Sequence, residues 1–224
     1  SMKNFVLIGA AGYIAPRHLR AIKETGNELI VSMDINDSVG ILDRYFPNSE
    51  FFTEFEQFQC FVEEEKFKGR ALDYISICSP NYLHASHIKF ALSAGCNVIC
   101  EKPIVMSTTE LDSIIKYEKS FNKRVYSILQ LRLHPSIQRL KQAVENSPKD
   151  KFFDVDLTYL TSRGLWYEKS WKGFIHKSGG VASNIGVHFF DVLSYVFGDV
   201  QKTTLYYRDN TTVVGTCVCK KAKI

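Results

Sequence analysis

The sequence predicts an α/β protein in which a doubly wound parallel sheet is followed by a smaller α+β domain. Over the first 130 residues, short apolar runs of strand length alternate with amphipathic stretches of helical length, a pattern typical of parallel strands buried on both faces. A turn rich in glycine and alanine follows the first of these runs. Beyond residue 150, apolar and polar residues alternate as in half-buried strands. We therefore predict two domains, at residues 1–130 and 131–224.

The first domain contains five predicted strands separated by helices. The apolar runs predict strands at Phe5–Ile8, Leu29–Asp34, Tyr74–Cys78, Asn97–Cys100 and Val125–Leu129. Amphipathic stretches predict helices at 15–23, 83–94 and 109–121. Strands and helices that alternate in this way form a parallel sheet with helices on both faces.

The second domain is predicted to have a small open sheet. Strands are expected at Phe153–Tyr159, Val200–Arg208 and Thr212–Val218, with a helix near Asn184–Phe197 between the first two. A polar, aromatic-rich stretch occupies residues 161–177. A sheet of so few strands is small for independent stability, so we expect this domain to be truncated, with further strands needed to complete its sheet.

Composition excludes several classes of function. The chain has 28 basic and 24 acidic residues, a formal net charge of +4, and its charges are scattered rather than clustered, which argues against a nucleic-acid partner. No apolar run approaches the roughly 20 residues needed to cross a bilayer. The six cysteines show neither a secretory context nor zinc-ligand spacing, so we predict reduced thiols, no metal site and a cytoplasmic location.

The turn after the first strand is a candidate phosphate-binding loop. Gly12 and Ala15 fit the later positions of a G-x-G-x-x-G pattern, and Gly9 lies one residue before its first position. An acidic residue, Asp34, ends the second strand about 20 positions later, as expected of a side chain that bonds the ribose hydroxyls of NAD and repels the phosphate of NADP. The predicted cofactor-binding residues of this Rossmann turn are Gly9, Ala11, Gly12, Tyr13, Ile14 and Asp34. The alternative is an ordinary β–α turn, with Asp34 as a turn residue.

Two more segments follow strands at the same predicted edge. Ser79, Pro80, Asn81 and His84 follow one strand, and Glu101, Lys102 and Pro103 follow the next. Ligands of doubly wound sheets bind at the carboxyl ends of strands, and a lysine there can place an ammonium in the crevice. Taken alone, Glu-Lys-Pro would be read as a turn with a surface ion pair.

These motifs together resemble the glucose–fructose oxidoreductase/inositol dehydrogenase family (Gfo/Idh/MocA). The resemblance extends to Gly179–His188, which is similar to the family's G-G-x-x-x-D-x-x-x-H catalytic helix. It implies an NAD-dependent oxidoreductase, with Ser79, Pro80, Asn81, His84, Glu101 and Lys102 on the cofactor side. It also implies catalytic roles for Lys102, His188 and Asn184. Histidine suits a general base, but Asn184 stands where most members carry aspartate and cannot hold a negative charge.

One branch of the family matches more closely. Segments such as Ser162–Gly164, Ser170–Gly173 and Asn184–His188 resemble the WlbA/WbpB-type dehydrogenases, which oxidise C3 of UDP-N-acetylglucosaminuronic acid in bacterial surface-polysaccharide (O-antigen) synthesis. The resemblance implies a nucleotide-sugar substrate, reoxidation of NADH by 2-oxoglutarate, and a homo-oligomer, dimer or tetramer, in the full-length form. Candidate substrate contacts are the cations Arg163 and Lys172 and the aromatic residues Trp166, Tyr167 and Trp171.

Two alternative functions remain open at this point. A dehydrogenase of a free sugar or polyol would share the class but have another pocket. A sugar-sensing protein would keep the Rossmann fold without turnover, and it would need neither Lys102 nor His188. The presence of both residues favours the enzyme.

Overall fold

A computed structural model describes residues 1–224 as two compact units, Ser1–Ile128 and Leu129–Ile224. In the first unit the strands are β1 (Asn4–Ile8), β2 (Glu28–Met33), β3 (Glu50–Phe52), β4 (Tyr74–Ile77), β5 (Asn97–Cys100) and β6 (Val125–Ser127). Its helices are α1 (Ala15–Glu24), α2 (Ile41–Tyr45), α3 (Phe55–Phe67), α4 (His84–Ser93) and α5 (Thr108–Phe121). No helix of either unit is both long and apolar enough to cross a membrane.

The six strands form one parallel sheet in the order β3-β2-β1-β4-β5-β6. This is the strand order of doubly wound dinucleotide-binding sheets, and it confirms the predicted fold class. The order reverses between β1 and β4, and a crevice opens at such a switch point beyond the carboxyl ends of the strands.

Successive residues of β1 enter different hydrophobic layers because side chains alternate between the faces of a strand. Phe5 and Leu7 pack in the layer that contains α1. Val6 and Ile8 pack in the opposite layer, with residues of α3, α4 and α5. Val6, Leu7 and Ile8 are fully buried, which explains why this strand is uninterrupted by polar residues.

Three elements of this unit were absent from the sequence prediction. Helix α3 carries Phe55, Phe58 and Phe61 at helical spacing, and Phe58 is fully buried. Strand β3 has only three residues and pairs only with β2. Helix α2 and strand β3 are too short to show the periodicity on which a sequence prediction depends, whereas the spacing of the phenylalanines in α3 was a signal that the sequence analysis missed.

The second unit has a four-stranded sheet in the order β7-β10-β9-β8. Its strands are β7 (Phe153–Asp154), β8 (Val200–Arg208), β9 (Val213–Cys219) and β10 (Ala222–Lys223). Its helices are α6 (Pro135–Glu145), α7 (Leu165–Lys169), α8 (Ile175–Ser178), α9 (Gly180–Asn184) and α10 (Gly186–Phe197). The core lies where α6 and α10 pack on β9, and every residue of β8 is exposed.

Two predicted elements of this unit were wrong in extent. The strand expected at Phe153–Tyr159 is confined to Phe153 and Asp154, because its partner β10 pairs with only these two residues. The helix expected at Asn184–Phe197 is interrupted at Ile185, whose backbone angles (φ −113°, ψ −48°) separate α9 from α10. Asn184 therefore ends one helix and His188 lies in the first turn of the next.

We predict that Gly9→Ala lowers the free energy of unfolding by about 2 kcal/mol or more. Gly9 has φ +91°, and a Cβ atom there would lie 2.6 Å from the Cys78 carbonyl carbon. Gly40→Ala is the control, since Gly40 has φ −54° and open space around the added methyl group. That change should be neutral or stabilise by about 0.4–1 kcal/mol. Equal effects of both changes in urea unfolding would contradict the prediction.

Candidate functional site

The candidate site of the first unit lies at the carboxyl edge of its sheet, where β1, β2, β4 and β5 end. The predicted cofactor residues follow these strands directly: Gly9, Ala11, Gly12, Tyr13 and Ile14 after β1, Asp34 after β2, Ser79, Pro80 and Asn81 after β4, and Glu101 and Lys102 after β5. Because adjacent parallel strands end at the same edge, the fold brings these segments together.

The glycine turn packs directly on the end of β4. Besides the close approach of Gly9, a Cβ atom at Gly12 would lie 3.1 Å from the Cys78 carbonyl oxygen. The Gly9 amide donates to the Met33 carbonyl at 2.8 Å, and the Gly12 amide donates to the Gly9 carbonyl at 3.1 Å. The two glycines therefore allow backbone to pack on backbone where β1 and β4 end.

Helix α1 begins at Ala15 and has no acidic residue in its first turn. No side chain of its own first turn neutralises the positive end of its dipole, an arrangement that favours an anionic ligand such as pyrophosphate. Tyr13, in the same turn, is 84% exposed, and Ile14 is half-buried.

Asp34 is held in place by two backbone amides. Its Oδ2 accepts a hydrogen bond from the Ala11 amide at 2.9 Å, and its Oδ1 accepts one from the Asn36 amide at 2.9 Å. The residue is thus a turn residue, and it also bridges to the glycine turn. Each carboxylate oxygen can accept a second hydrogen bond, so the side chain keeps acceptor capacity for a ribose hydroxyl.

The Ser79–Asn81 turn is held by two histidines of α4. The Ser79 hydroxyl bonds to His87 Nδ1 at 2.8 Å, and the Ser79 carbonyl lies 2.7 Å from His84 Nε2. The other ring nitrogen of His84 lies 2.6 Å from the Pro103 carbonyl. His84 is fully buried and both its nitrogens face backbone carbonyls, so it has no polar atom left for the cofactor contact expected of it. Asn81 is also buried.

A third histidine holds the segment after β5. His18 Nε2 on α1 pairs with Glu101 Oε1 at 2.9 Å, and both side chains are largely buried. Glu101 is therefore tied to the protein, and the half-buried Lys102 follows it directly. The Lys102–Pro103 peptide bond is cis.

The sequence analysis named neither His18 nor His87 as a site residue. The signal for His18 was present: it shares the buried face of α1 with Ala15, Leu19 and Ile22, and a polar side chain on an apolar face requires a partner. The partner, Glu101, is 83 residues away in the sequence. No local pattern could have identified it.

The thiols beside the site are neutral. Burial raises the pKa of Cys78 and Cys100 well above the ordinary value, and the charge of Glu101 adds to both shifts. In the second unit the Sγ atoms of Cys217 and Cys219 lie 3.9 Å apart, and burial, with Cys217 beside it, raises the pKa of Cys219 to about 11. All six cysteines are free.

The predicted substrate residues of the second unit form a cluster of cations and aromatic rings. The Arg163 guanidinium lies 5.0 Å from the centre of the Tyr167 ring, and Lys172 Nζ lies 5.4 Å from the Trp166 ring and 5.8 Å from the Trp171 ring. Burial lowers the pKa of Lys172, and the charge of Arg163 lowers it further. Two cations held near each other in this way suit a ligand with more than one negative charge.

Asn184 belongs to the same cluster. Its Nδ2 donates a hydrogen bond to the Tyr167 hydroxyl at 3.0 Å, and its side chain is buried. His188 lies in the first turn of α10, and its amide bonds to the Ile185 carbonyl at 3.2 Å. The interruption at Ile185 thus separates the helix that carries Asn184 from the helix that carries His188.

The strand order, the glycine turn and the acidic residue after β2 define a dinucleotide-binding protein of the Rossmann type. Residues 3–128 match the family described as oxidoreductase family, NAD-binding Rossmann fold, and residues 151–217 match its C-terminal alpha/beta domain. The first match covers more than half of the chain, so the chain belongs to the Gfo/Idh/MocA family of oxidoreductases. The predicted family and the NAD-binding domain are confirmed.

Two curated relatives show how far the similarity extends. The D-glucoside 3-dehydrogenase of Escherichia coli (strain K12) is 30% identical over 129 residues, which are 56% of this chain and 36% of that protein. The glucose-6-phosphate 3-dehydrogenase of Bacillus subtilis (strain 168) is 25% identical over 200 residues, which are 88% of this chain and 54% of that protein. The chain thus spans about a third to a half of the length of these relatives.

Two solved structures match almost the whole chain. Both are of the WlbA (WbpB) dehydrogenase from Thermus thermophilus, one in complex with NAD and alpha-ketoglutarate and the other with NAD and UDP-GlcNAcA. Each is 45% identical with a TM-score of 0.94, covering 99% of this chain and 71% or 72% of the other.

We predict that His87 makes the protein less stable as the pH falls below neutrality. Burial lowers the pKa of His87 from 6.5 to about 4, with a smaller contribution from His84. The unfolded chain therefore takes up a proton near pH 6.5, whereas the folded chain does so only near pH 4, so the free energy of unfolding decreases as the pH falls between these values. The expected loss from this residue is about 2 kcal/mol at pH 5 relative to pH 7.5.

The test is urea unfolding of the wild-type protein and of His87→Phe at both pH values. Phenylalanine can keep the stacking of His87 on Phe55 but cannot take up a proton. The comparison at pH 7.5 is the control. There the difference in free energy of unfolding between the variant and the wild type reports the lost bond to Ser79 and not the uptake of a proton. If the difference between the two proteins is the same at pH 5 as at pH 7.5, His87 is not responsible.

Proposed function

We propose that the protein is an NAD-dependent dehydrogenase that oxidises the C3 hydroxyl of UDP-N-acetylglucosaminuronic acid in the synthesis of a bacterial surface polysaccharide. The observation that carries the proposal is the 45% identity, over 99% of the chain, to a dehydrogenase solved with NAD and UDP-GlcNAcA. Oxidation at C3 is supported by the names of the two curated relatives, which are both 3-dehydrogenases.

The carboxyl edge of the first unit suits NAD. The glycine turn and the start of α1 would hold the pyrophosphate, and Asp34 would accept hydrogen bonds from the adenosine ribose. When bound, NAD supplies the acceptor for the hydride that leaves the sugar carbon. Ser79, Pro80, Glu101 and Lys102 are proposed to line the same edge. Asn81 and His84 are buried and would hold the backbone of this edge in place.

The cation and aromatic cluster of the second unit suits the nucleotide sugar. Arg163 and Lys172 would pair with the diphosphate or the sugar carboxylate, since a guanidinium fork and an ammonium both bind anionic oxygens. Trp166, Tyr167 and Trp171 present rings on which uracil or sugar could stack. Asn184, already bonded to Tyr167, would orient the sugar as a neutral group.

The chemistry requires a base for the hydroxyl proton and a cation for the developing alkoxide. We assign the first role to His188, because an imidazole titrates near neutral pH. We assign the second to Lys102, because an ammonium stabilises negative charge on oxygen. In this assignment His188 takes the proton of the sugar hydroxyl, and the Lys102 ammonium stabilises the negative charge that develops on oxygen.

The reduced cofactor is proposed to be reoxidised by 2-oxoglutarate. A dicarboxylate can pair with the cations Arg163 and Lys172 in place of the nucleotide sugar. The proposal is supported by the similar dehydrogenase solved with NAD and alpha-ketoglutarate. We place this activity in the cytoplasm, because free cysteines of this kind belong to a reducing compartment.

A free sugar is the second candidate substrate. The similar D-glucoside 3-dehydrogenase favours it, because its name specifies a substrate without a nucleotide. The two candidates are distinguished by incubating the protein with NAD, 2-oxoglutarate and either UDP-N-acetylglucosaminuronic acid or glucose. We expect a 3-keto product, detected by NMR, only from the nucleotide sugar.

We predict that Asp34 makes the protein prefer NAD over NADP. A carboxylate beside the ribose repels the phosphate of NADP, so calorimetry should show NAD binding at least about tenfold more tightly. Asp34→Asn keeps the size of the side chain and removes its charge, and most of the preference should disappear. Asp37→Asn is the matched control, because it removes the same charge from an exposed residue three positions later. Tighter binding of NADP to the wild type, or an equal effect of the control, would refute the assignment.

We predict that Lys102→Ala and His188→Ala each lower kcat by about 10²–10⁴-fold, the usual cost of losing an acid–base group. The measurement is turnover of the nucleotide sugar with NAD and 2-oxoglutarate. Lys116→Ala, which removes an exposed lysine from α5, should turn over at the wild-type rate. Near-normal turnover in His188→Ala would exclude His188 as the base.

A further inference from the structure

The ring of His84 lies between the turn after β4 and the segment after β5. Its Nε2 lies 2.7 Å from the Ser79 carbonyl and its Nδ1 lies 2.6 Å from the Pro103 carbonyl. The ring is fully buried at the start of α4. A leucine could fill the same buried space. What histidine adds at this position is its pair of ring nitrogens, which face the two carbonyls.

Pro103 depends on this contact more than another residue would. Proline has no amide hydrogen, so its carbonyl is its only backbone group that can form a hydrogen bond. That carbonyl faces His84 Nδ1, and a carbonyl oxygen can only accept. A hydrogen bond to Pro103 therefore requires a hydrogen on Nδ1. The Ser79 carbonyl makes the same demand on Nε2, and a neutral ring carries only one N–H, so it donates to one of the two carbonyls at a time. Lys102 is joined directly to Pro103, so the contact restrains the backbone from which the lysine side chain extends.

We propose that His84 is a positioning residue for Lys102, acting through the hydrogen bond from Nδ1 to the Pro103 carbonyl. His84 touches neither cofactor nor substrate in this role. The effect of His84 on the position of Lys102 does not depend on the proposed function. Only the expected effect on turnover rests on that function. The contact with Ser79 would hold the neighbouring turn and would matter less for Lys102.

Two isosteric changes separate the contacts. The amide nitrogen of asparagine occupies the place of histidine Nδ1, and that of glutamine occupies the place of Nε2. His84→Asn therefore retains the bond to Pro103, and His84→Gln retains the contact with Ser79. His84→Leu removes both. Ile88→Val, a buried residue of the same helix, is the control for a loss of stability that leaves the Lys102 segment untouched.

The first measurement reports on Lys102 without requiring activity. Lysine amines are labelled by reductive methylation with ¹³C-formaldehyde, and the Lys102 signal is assigned by its absence from Lys102→Arg. We expect this signal to keep its wild-type position in His84→Asn and Ile88→Val. In His84→Gln and His84→Leu it should move to the position of the exposed lysines. An unmoved signal in both of these variants, or the same movement in the Asn and Gln variants, would overturn the proposal.

The second measurement is turnover with the nucleotide sugar. We expect kcat to fall about 10–100-fold in the Gln and Leu variants, as for a misplaced catalytic group, with little change in KM for NAD. The Asn variant should stay within about threefold of wild type. If the Lys102 signal responds as expected but the wild-type protein oxidises no sugar, the proposed function fails and the positioning role stands.

The third measurement needs no substitution, so it decides the matter even if the variants fail to fold. Long-range ¹H–¹⁵N NMR of the unmodified protein shows which ring nitrogen of His84 carries hydrogen. A protonated Nδ1 supports the proposal. A bare Nδ1 at pH 7 would overturn it, because the bond to Pro103 could not then exist.

Discussion

The contact of the glycine turn with the end of β4 is the constraint on which the first unit depends. Gly9 and Gly12 bring the chain after β1 within backbone contact of Cys78 and Ser79. This approach lies at the switch point of the sheet, where ligands of doubly wound sheets bind. It also sets the place of Asp34, because the carboxylate bonds to an amide of the same turn. A side chain at Gly9 would displace all three strand ends at once.

Three buried or half-buried histidines hold the segments beside this contact. His18 pairs with Glu101, His84 reaches the carbonyls of Ser79 and Pro103, and His87 bonds to the Ser79 hydroxyl. Each joins a helix to a segment that follows a strand. Burying a polar ring costs free energy unless it is hydrogen-bonded, so each histidine favours a single arrangement of its loop. A ligand edge built in this way is organised before any ligand arrives.

The second unit organises its polar groups differently. Its candidate substrate cations, Arg163 and Lys172, lie against aromatic rings. A cation on a ring keeps its charge available to a ligand, whereas an ion pair neutralises it. In the same unit, Arg132 and Asp191 form a two-point ion pair that ties the residues before α6 to α10. That pair helps to hold the helix that carries His188.

The sequence by itself determined the doubly wound sheet, the glycine turn, Asp34 and the strand ends at which the other motifs stand. These features are local: apolar runs, turn residues and their order along the chain already specify a parallel sheet and its ligand edge. Only the tertiary structure decided that His18 meets Glu101, that His84 is buried between the carbonyls of Ser79 and Pro103, and that a break at Ile185 separates Asn184 from His188. The first two depend on partners far apart in the sequence, and the third depends on backbone angles that no residue pattern records. The strand expected to reach Tyr159 ends at Asp154 for a related reason, since a strand extends only as far as its neighbour pairs with it.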